Sequence, residues 1–280
     1  VRLFLHYGDI CDSTNLIKLL YQLQPDEIYH LAAQSHVRVS FDIPEYTAGT
    51  NAIGALRLLD IIKNLKYKPK FYQASSSEMY GDTDRKLLDE NSYFAPSSPY
   101  ASAKLFSHWV VVNYCKSYNL FGCNGILFNH ESPRRGESFV TRKITLSAAR
   151  IKYGLQKKLY LGNINAVRDW GYAKEYVEAM WLMLQQDKPD DFVIATGESH
   201  SVEEFLTLAS EYAGLGDWHD FVEIDESNMR PTDIDELIGD SSKAREQLGW
   251  KPKMKFNDIV KHMVEYDMNY FKLRIEQFGN

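Results

Sequence analysis

Short apolar runs in this chain recur between longer amphipathic stretches, and few residues join one to the next. Residues 27–33, Phe71-Tyr72-Gln73-Ala74 and residues 123–128 read as strands. Residues 14–23, about 45–65 and 99–118 read as helices. In the first, Leu16, Leu19, Leu20 and Leu23 form one stripe behind an Asp12-Ser13 N-cap, and Gln24-Pro25-Asp26 closes it. In the second, Ile53, Leu56, Leu59 and Ile62 face inward; in the third, Val110, Val111 and Tyr114 do. Strands alternating with helices through short loops imply βαβ units, and so an α/β fold with a doubly wound parallel sheet. Residues 2–7, Arg2-Leu3-Phe4-Leu5-His6-Tyr7, read as one further strand.

Beyond Asn129 the rhythm loosens. A basic helix is expected over 139–154, a strand over 159–161, a helix over 173–184 and a strand over 192–195. Ser201 caps a helix with Glu203 and Glu204 in its first turn. A strand near Phe221, a short helix over 243–248 and a last helix from about Asn257 complete the chain. No repeat or linker intervenes, so a second domain must be interleaved with the first.

Composition narrows the function. A 44% hydrophobic and 25% charged chain of 280 residues is an ordinary globular protein. Its formal net charge of −6 gives no basic footprint, which argues against nucleic acid as a partner. No stretch is long and apolar enough to cross a membrane, and no signal peptide opens the chain. Cys11, Cys115 and Cys123 lack metal spacing and read as reduced thiols of a cytoplasmic protein.

The chemistry concentrates between Phe71 and Lys104. Tyr100 and Lys104 are four residues apart, so on a helix they share a face. Pro99 suits the first helical position, with Ser98 or Ser97 before it as cap. An ammonium beside a phenol favours the phenolate and makes Tyr100 a general base. The bland reading of the pair alone is a helix face with a solvated lysine. Just upstream, Ser75-Ser76-Ser77-Glu78 follows a strand, where sites open in parallel sheets.

The Tyr-x-x-x-Lys pattern resembles the extended short-chain dehydrogenase/reductase superfamily. More specific is the string Asn129-His130-Glu131-Ser132-Pro133-Arg134-Arg135-Gly136. With Gln73-Ala74-Ser75-Ser76-Ser77-Glu78, Leu161-Gly162-Asn163, Arg168-Asp169-Trp170-Gly171 and Phe192-Val193-Ile194-Ala195-Thr196-Gly197, it resembles the GDP-mannose 4,6-dehydratase family. The resemblance implies a Rossmann-like NADP-binding domain over residues 1–129 and about 166–197. It also implies a smaller α/β substrate domain over about 130–165 and 198–280. Implied catalytic residues are Ser76, Glu78, Tyr100 and Lys104. Cofactor contacts are implied at Asp9, Ile10, Leu31, Ala32, Ala33, Gln34, Ser35, Tyr46, Lys104, His130 and Arg135. Contacts to the substrate, GDP-mannose, are implied at Asn129, Lys143, Arg168, Arg230 and Asp233, where the family usually has Glu at the last position. The family forms dimers and tetramers.

One family feature is missing. A dinucleotide site opens with strand, glycine-rich turn and helix, and the nearest glycine pair, Gly122 and Gly125, opens no helix. The chain begins at Val1 and reads as truncated ahead of its first strand. The expected consequence is weak NADP binding by residues 1–280 alone. Two functions are expected to compete: the dehydratase, and a non-catalytic relative that binds nucleotide sugar or a partner subunit.

Overall fold

The computed structural model describes residues 3–83 and 87–278. The chain divides into two compact units, each assembled from separated segments. The first comprises Val1–Gly81, Tyr93–Ile126 and Met180–Phe192; the second comprises Asp82–Ser92, Leu127–Ala179 and Val193–Asn280. This division runs differently from the boundaries drawn on the sequence, since 82–92, 127–129, 166–179 and 193–197 belong to the second unit.

The first unit is built on the strands Glu27–His30, Lys70–Ser76 and, as far as Ile126, Gly122–Leu127, which lie side by side in that order. Its first pair is parallel, with Glu27 opposite Lys70 and His30 opposite Gln73. Every residue of Gly122–Leu127 is buried, as expected for a strand covered on both faces. Gly125 is required there, because a Cβ would lie 2.3 Å from the Tyr72 hydroxyl. Leu20, Leu58, Leu59, Ile62, Leu65, Phe71, Val111 and Leu120 form one apolar cluster.

Helix signals in this unit work locally. Asp12 caps Ser13–Leu23 by accepting from the amides of Thr14 and Asn15, and Gln24 ends it with a left-handed φ of 44°. Ser98 accepts from the Ala101 amide, Pro99 occupies the first turn, and the helix runs Pro99–Tyr118.

Three expectations fail here. Leu3–Tyr7 forms no strand and is exposed, Tyr7 completely so, while Arg2 lies outside the described residues. An apolar, β-prone run becomes a strand only where another backbone pairs with it. The strand expected over 27–33 ends at His30, leaving Leu31 exposed. Ile53 is also exposed rather than inward. The expected long helix contains a π-helical stretch, Ala48–Ile53, between α-helical Pro44–Thr47 and Gly54–Asn64. A π turn inserts an extra residue, so the inward stripe resumes out of phase at Leu58, Leu59, Ile61 and Ile62.

The second unit has short strands and long helices. Val222–Ile224 pairs in parallel with Leu159–Leu161. Glu236–Leu237 pairs with Val167–Arg168, which pairs antiparallel with His200–Ser201. Asn129–Glu131 pairs in parallel with Trp170–Tyr172. The helices Val140–Lys152, Val202–Ala213 and Phe256–Phe278 supply the core, with Ile144, Phe205, Leu206, Val260 and Met263 fully buried. Ser201 and Glu204 form a reciprocal capping box. Arg142 and Asp267, both buried, form an ion pair joining the first and last of these helices. No helix among the described residues is long and apolar enough to cross a membrane.

Candidate active site

The strand Lys70–Ser76 delivers Ser76 to its carboxyl end, where the Ser76 hydroxyl accepts from the Glu78 amide at 3.2 Å. That bond caps the single 3-10 turn Ser77–Tyr80, which carries Glu78, half-buried, just past the strand. Gly81 closes the turn at φ 64°, where a Cβ would meet the Ala95 carbonyl at 1.7 Å.

Tyr100 and Lys104 lie one turn apart on the Pro99–Tyr118 helix, both buried. The Lys104 Nζ lies 5.8 Å from the Tyr100 ring centroid and donates to the Ala74 carbonyl at 2.8 Å. Ala74 is two residues before Ser76, so this bond fixes the lysine to the strand end from which Ser76 and Glu78 follow. Burial pulls the Lys104 ammonium down to about 8. The bland alternative, a solvated lysine, is therefore wrong. Behind the pair, the Tyr100 amide donates to the Ser40 hydroxyl at 3.2 Å, which fixes the start of the helix.

The serines beside Ser76 have other partners. Ser75 donates to the Asn124 side-chain oxygen and lies 3.3 Å from the His108 ring. Burial pushes His108 down to about 4. Ser75 is thus tied into the interior.

Residues expected to contact a cofactor lie in both units. In the first, Asp9 turns the chain, its carboxylate accepting from the Cys11 amide at 2.8 Å. Ile10 packs into the apolar cluster, close enough that a Cβ at Gly54 would strike it at 2.6 Å. Leu31, Ala32, Ala33, Gln34 and Ser35 form the turn after Glu27–His30, with Leu31, Ala32 and Ser35 exposed. Tyr46 is exposed as well. One residue holds this turn and was not singled out in the sequence: the buried Asn51, in the π-helical stretch. Its side-chain oxygen accepts from the Gln34 amide at 2.7 Å and its nitrogen donates to the Gln34 carbonyl at 2.9 Å. Only the 17-residue separation hides it; the isolated Asn carries no local signal.

In the second unit, His130 lies 2.9 Å from the Phe128 carbonyl through Nδ1 and stacks on Tyr176 at 4.8 Å. Burial lowers His130 to about 4, so its ring is neutral near pH 7. Asn129 is half-buried beside it. Arg135 lies with its Nε 3.4 Å from Glu131 and its guanidinium 3.8 Å from the Phe139 ring centroid. Glu131 also accepts from Thr141 at 2.6 Å, and burial raises its carboxyl above the usual range. A fully buried acid thus ties the Pro133–Gly136 loop to the start of the next helix.

The residues expected to bind substrate in this unit are partly gathered. Arg168, Arg230 and Asn163 all meet Asp233: Arg168 Nη2 at 3.2 Å, Asn163 Nδ2 at 3.1 Å and Arg230 Nη1 at 3.6 Å. Lys143 stands apart, half-buried on Val140–Lys152; burial lowers its ammonium and the field of Asp225 opposes that. Asp169, next to Arg168, is the residue most easily missed. Fully buried, it accepts from the Thr196 amide and hydroxyl, the Gly197 amide and the Gly239 amide. Burial raises its carboxyl pKa against those donors, and one anion holds three segments together. It stood in the sequence inside the Arg-Asp-Trp-Gly string, without a partner nearby to mark it.

Comparison with known proteins places this geometry in context. A family model described as GDP-mannose 4,6 dehydratase matches residues 1–263. The chain is 58% identical to Arabidopsis thaliana GDP-mannose 4,6 dehydratase 1 over 272 residues, covering 96% of this chain and 75% of that protein. Among solved structures it is similar to RMD from Pseudomonas aeruginosa in complex with NADPH. There the TM-score is 0.85 at 24% identity, over 95% of this chain and 88% of that one. The Thermus thermophilus UDP-glucose 4-epimerase in complex with NAD gives a TM-score of 0.80 at 27% identity, over 93% and 83%. The fold is the Rossmann-like α/β fold of such enzymes.

Proposed function

The chain belongs to the GDP-mannose 4,6-dehydratase family, and on that premise we propose that it converts GDP-D-mannose to GDP-4-keto-6-deoxy-D-mannose. The observation that carries this reading is the Lys104 ammonium, buried beside Tyr100 and hydrogen-bonded to the strand end that leads into Ser76 and Glu78.

NADP is the cofactor of this reading. The residues fit part of a dinucleotide site, since residues 1–280 contain no glycine-rich turn for the pyrophosphate: the turn Leu31 to Ser35 follows a parallel strand, the position where such sheets bind ligands, and Asn51 fixes it with Leu31 and Ser35 exposed. Asp9, Ile10, Leu31, Ala32, Ala33, Gln34, Ser35, Tyr46 and Lys104 would hold it, together with His130 and Arg135. Bound there, it would supply a hydride acceptor for C4 of the sugar and a hydride donor for C6.

The chain's own residues move the protons. Tyr100, as phenolate, takes the proton from O4, and the Lys104 cation stabilises that phenolate. The 4-keto group acidifies the C5 proton, and Glu78 removes it. Glu78 then protonates the departing C6 hydroxyl with help from the Ser76 hydroxyl, so water leaves, and the proton held by Tyr100 passes to C5 as C6 is reduced, which restores the phenolate. Asn129, Lys143, Arg168, Arg230 and Asp233 hold the nucleotide sugar, the arginines through its diphosphate. On this reading most of the cofactor residues lie in the first unit, and the substrate residues lie in the second. A cytoplasmic location accords with three free thiols. The family resemblance extends to a homodimer or homotetramer, and sedimentation velocity showing a monomer would remove that element.

The test is direct. The protein incubated with GDP-mannose and catalytic NADP should yield the 4-keto-6-deoxy sugar nucleotide by NMR without net NADPH. Binding of GDP-mannose with no product would leave the non-catalytic reading in place.

A further inference from the structure

Lys104 is not held by its own helix alone. Its Nζ donates to the Ala74 carbonyl at 2.8 Å, and that carbonyl also accepts from Gln73 Nε2 at 3.1 Å. The same Gln73 nitrogen lies 3.4 Å from the Ser107 hydroxyl oxygen. Ser107 gives its own proton to the Lys104 main-chain carbonyl at 2.9 Å, so its oxygen is left to accept. One amide nitrogen therefore touches both groups that fix the lysine. The first is the acceptor of its ammonium, and the second is the hydroxyl bonded to its main chain. These residues all lie within the first unit.

Gln73 is 1% exposed and Ser107 is fully buried. The orientation of the amide follows from its neighbours. A main-chain carbonyl can only accept, so the nitrogen of Gln73, and not its oxygen, must face Ala74. Gln73 lies in the strand Lys70–Ser76, and its register partner on the next strand is His30. His30 faces Lys104 from that strand, and Tyr100 faces it from its own helix. Burial first, and the Lys104 cation second, lower the His30 ring to about 3, so it is neutral near pH 7. His30 thus brings no counter-charge, and the buried ammonium is stabilised by the dipole of a carbonyl. The direction of a dipole matters as much as its distance, and two donors set the direction of this one.

We propose that Gln73 is a positioning residue: its amide nitrogen fixes the Ala74 carbonyl and the Ser107 hydroxyl, and through them holds the Lys104 ammonium beside Tyr100. The inference rests on the reading that Lys104 supports the Tyr100 phenolate. Gln73 acts through the lysine rather than on the sugar.

Two variants and two measurements test it. Gln73→Met keeps the length of the side chain and loses both hydrogen bonds. Gln73→Glu keeps the shape and sets a carboxylate beside the ammonium. In protein isotope-labelled at the lysine Cε, Lys104 is the NMR resonance missing from Lys104→Arg, and its titration reports the ammonium directly. Gln73→Met should lower that midpoint further, by about half a pH unit, because the carbonyl is no longer aimed at the cation. Gln73→Glu should raise it by about one pH unit or more. Per folded protein, Gln73→Met should lower kcat for GDP-mannose by about tenfold, while KM changes less than about twofold. Combined with Ser107→Ala, the loss should be less than additive, because both act on one lysine.

A higher Lys104 midpoint in Gln73→Met would mean that the amide only competes for the carbonyl, and would overturn the inference. So would an unmoved midpoint in Gln73→Glu, or wild-type kcat in Gln73→Met. The titration needs no turnover. A wild-type protein that makes no product fails the dehydratase reading, while the midpoints still decide whether Gln73 holds the lysine. Circular dichroism melts identify a Gln73→Met protein that does not fold, and the isosteric Gln73→Glu then carries the test.

Discussion

The two candidate site regions are built in opposite ways. Around Tyr100 the geometry comes from one regular helix, and four-residue spacing alone sets the lysine beside the phenol. Around Asp233 there is no regular element longer than a few residues, and three separate loops and strands converge on one carboxylate. The first region holds a cation in an apolar setting with a main-chain carbonyl as partner. The second neutralises its charges against one another. A helix can thus supply a reactive group whose proton affinity is set by burial. In the second, ion pairs to the half-buried Asp233 and main-chain carbonyls that accept from the buried Arg168 hold the segments together.

The sharpest way to break this contrast is catalytic. Glu78→Gln should retain GDP-mannose binding and lose about two to four orders of magnitude in turnover, because the amide cannot accept the C5 proton. Tyr100→Phe should likewise abolish the first reduction of NADP in a single turnover, with stability little changed. Wild-type turnover by either variant would remove that residue from the mechanism.

In the second region the larger effect should be on folding. Asp169→Asn places an amide nitrogen where main-chain amides already donate, at a fully buried position. Urea denaturation should show a loss of roughly 3–5 kcal/mol. A change under 1 kcal/mol, on the order of one ordinary hydrogen bond, would show that the anion is not what holds these loops.

Lys104 separates stability from activity by pH. Its folded value of about 8 lies below the ordinary 10.5, so between these values the unfolded chain binds the extra proton. Stability should therefore rise with pH across that window, by about 3 kcal/mol in total. Activity should fall over the same range, because the cation that supports the Tyr100 phenolate is lost. Melting temperature and kcat measured from pH 7 to 10 should move in opposite directions, and parallel movement would contradict the assignment.

The smallest effect sharpens the packing side. Ile53→Ser should cost no more than about 0.5 kcal/mol, since the side chain is exposed, whereas Leu59→Ala should cost about 2–5 kcal/mol. Equal losses in thermal melts would mean that Ile53 is inside after all.

What the sequence disclosed follows the same divide. Ser98 and Pro99 marked the start of Pro99–Tyr118, and Ser201 with Glu204 marked the capping box, because capping is local chemistry. Leu159–Leu161 and Ala173–Leu184 were equally legible from pattern. The two-residue strands Val167–Arg168, His200–Ser201 and Glu236–Leu237 are too short to show any period. The helix Val37–Asp42 was passed over because its cap is His36, whose ring nitrogen accepts from the Val39 amide. Leu3–Tyr7 misled because propensity cannot supply a pairing partner. Tyr100, Lys104, Ser76 and Glu78 stood out in sequence; Asn51, Asn163 and Asp169 did not, since each acts on a group many positions away.

The π-helical stretch Ala48–Ile53 gives the long helix a place where its length is adjustable. One residue more than an α-helix needs is accommodated there, so removing one residue would let the backbone relax to ordinary α-helical winding. Leu58, Leu59 and Ile62 would keep their seats, while the Asn51 amide would rotate away from Gln34. Sequence drift at this point can thus alter the grip on the Leu31 to Ser35 turn and leave the hydrophobic packing alone. The helix works as a slide rule, with a fixed scale on its core side and a movable one toward the turn.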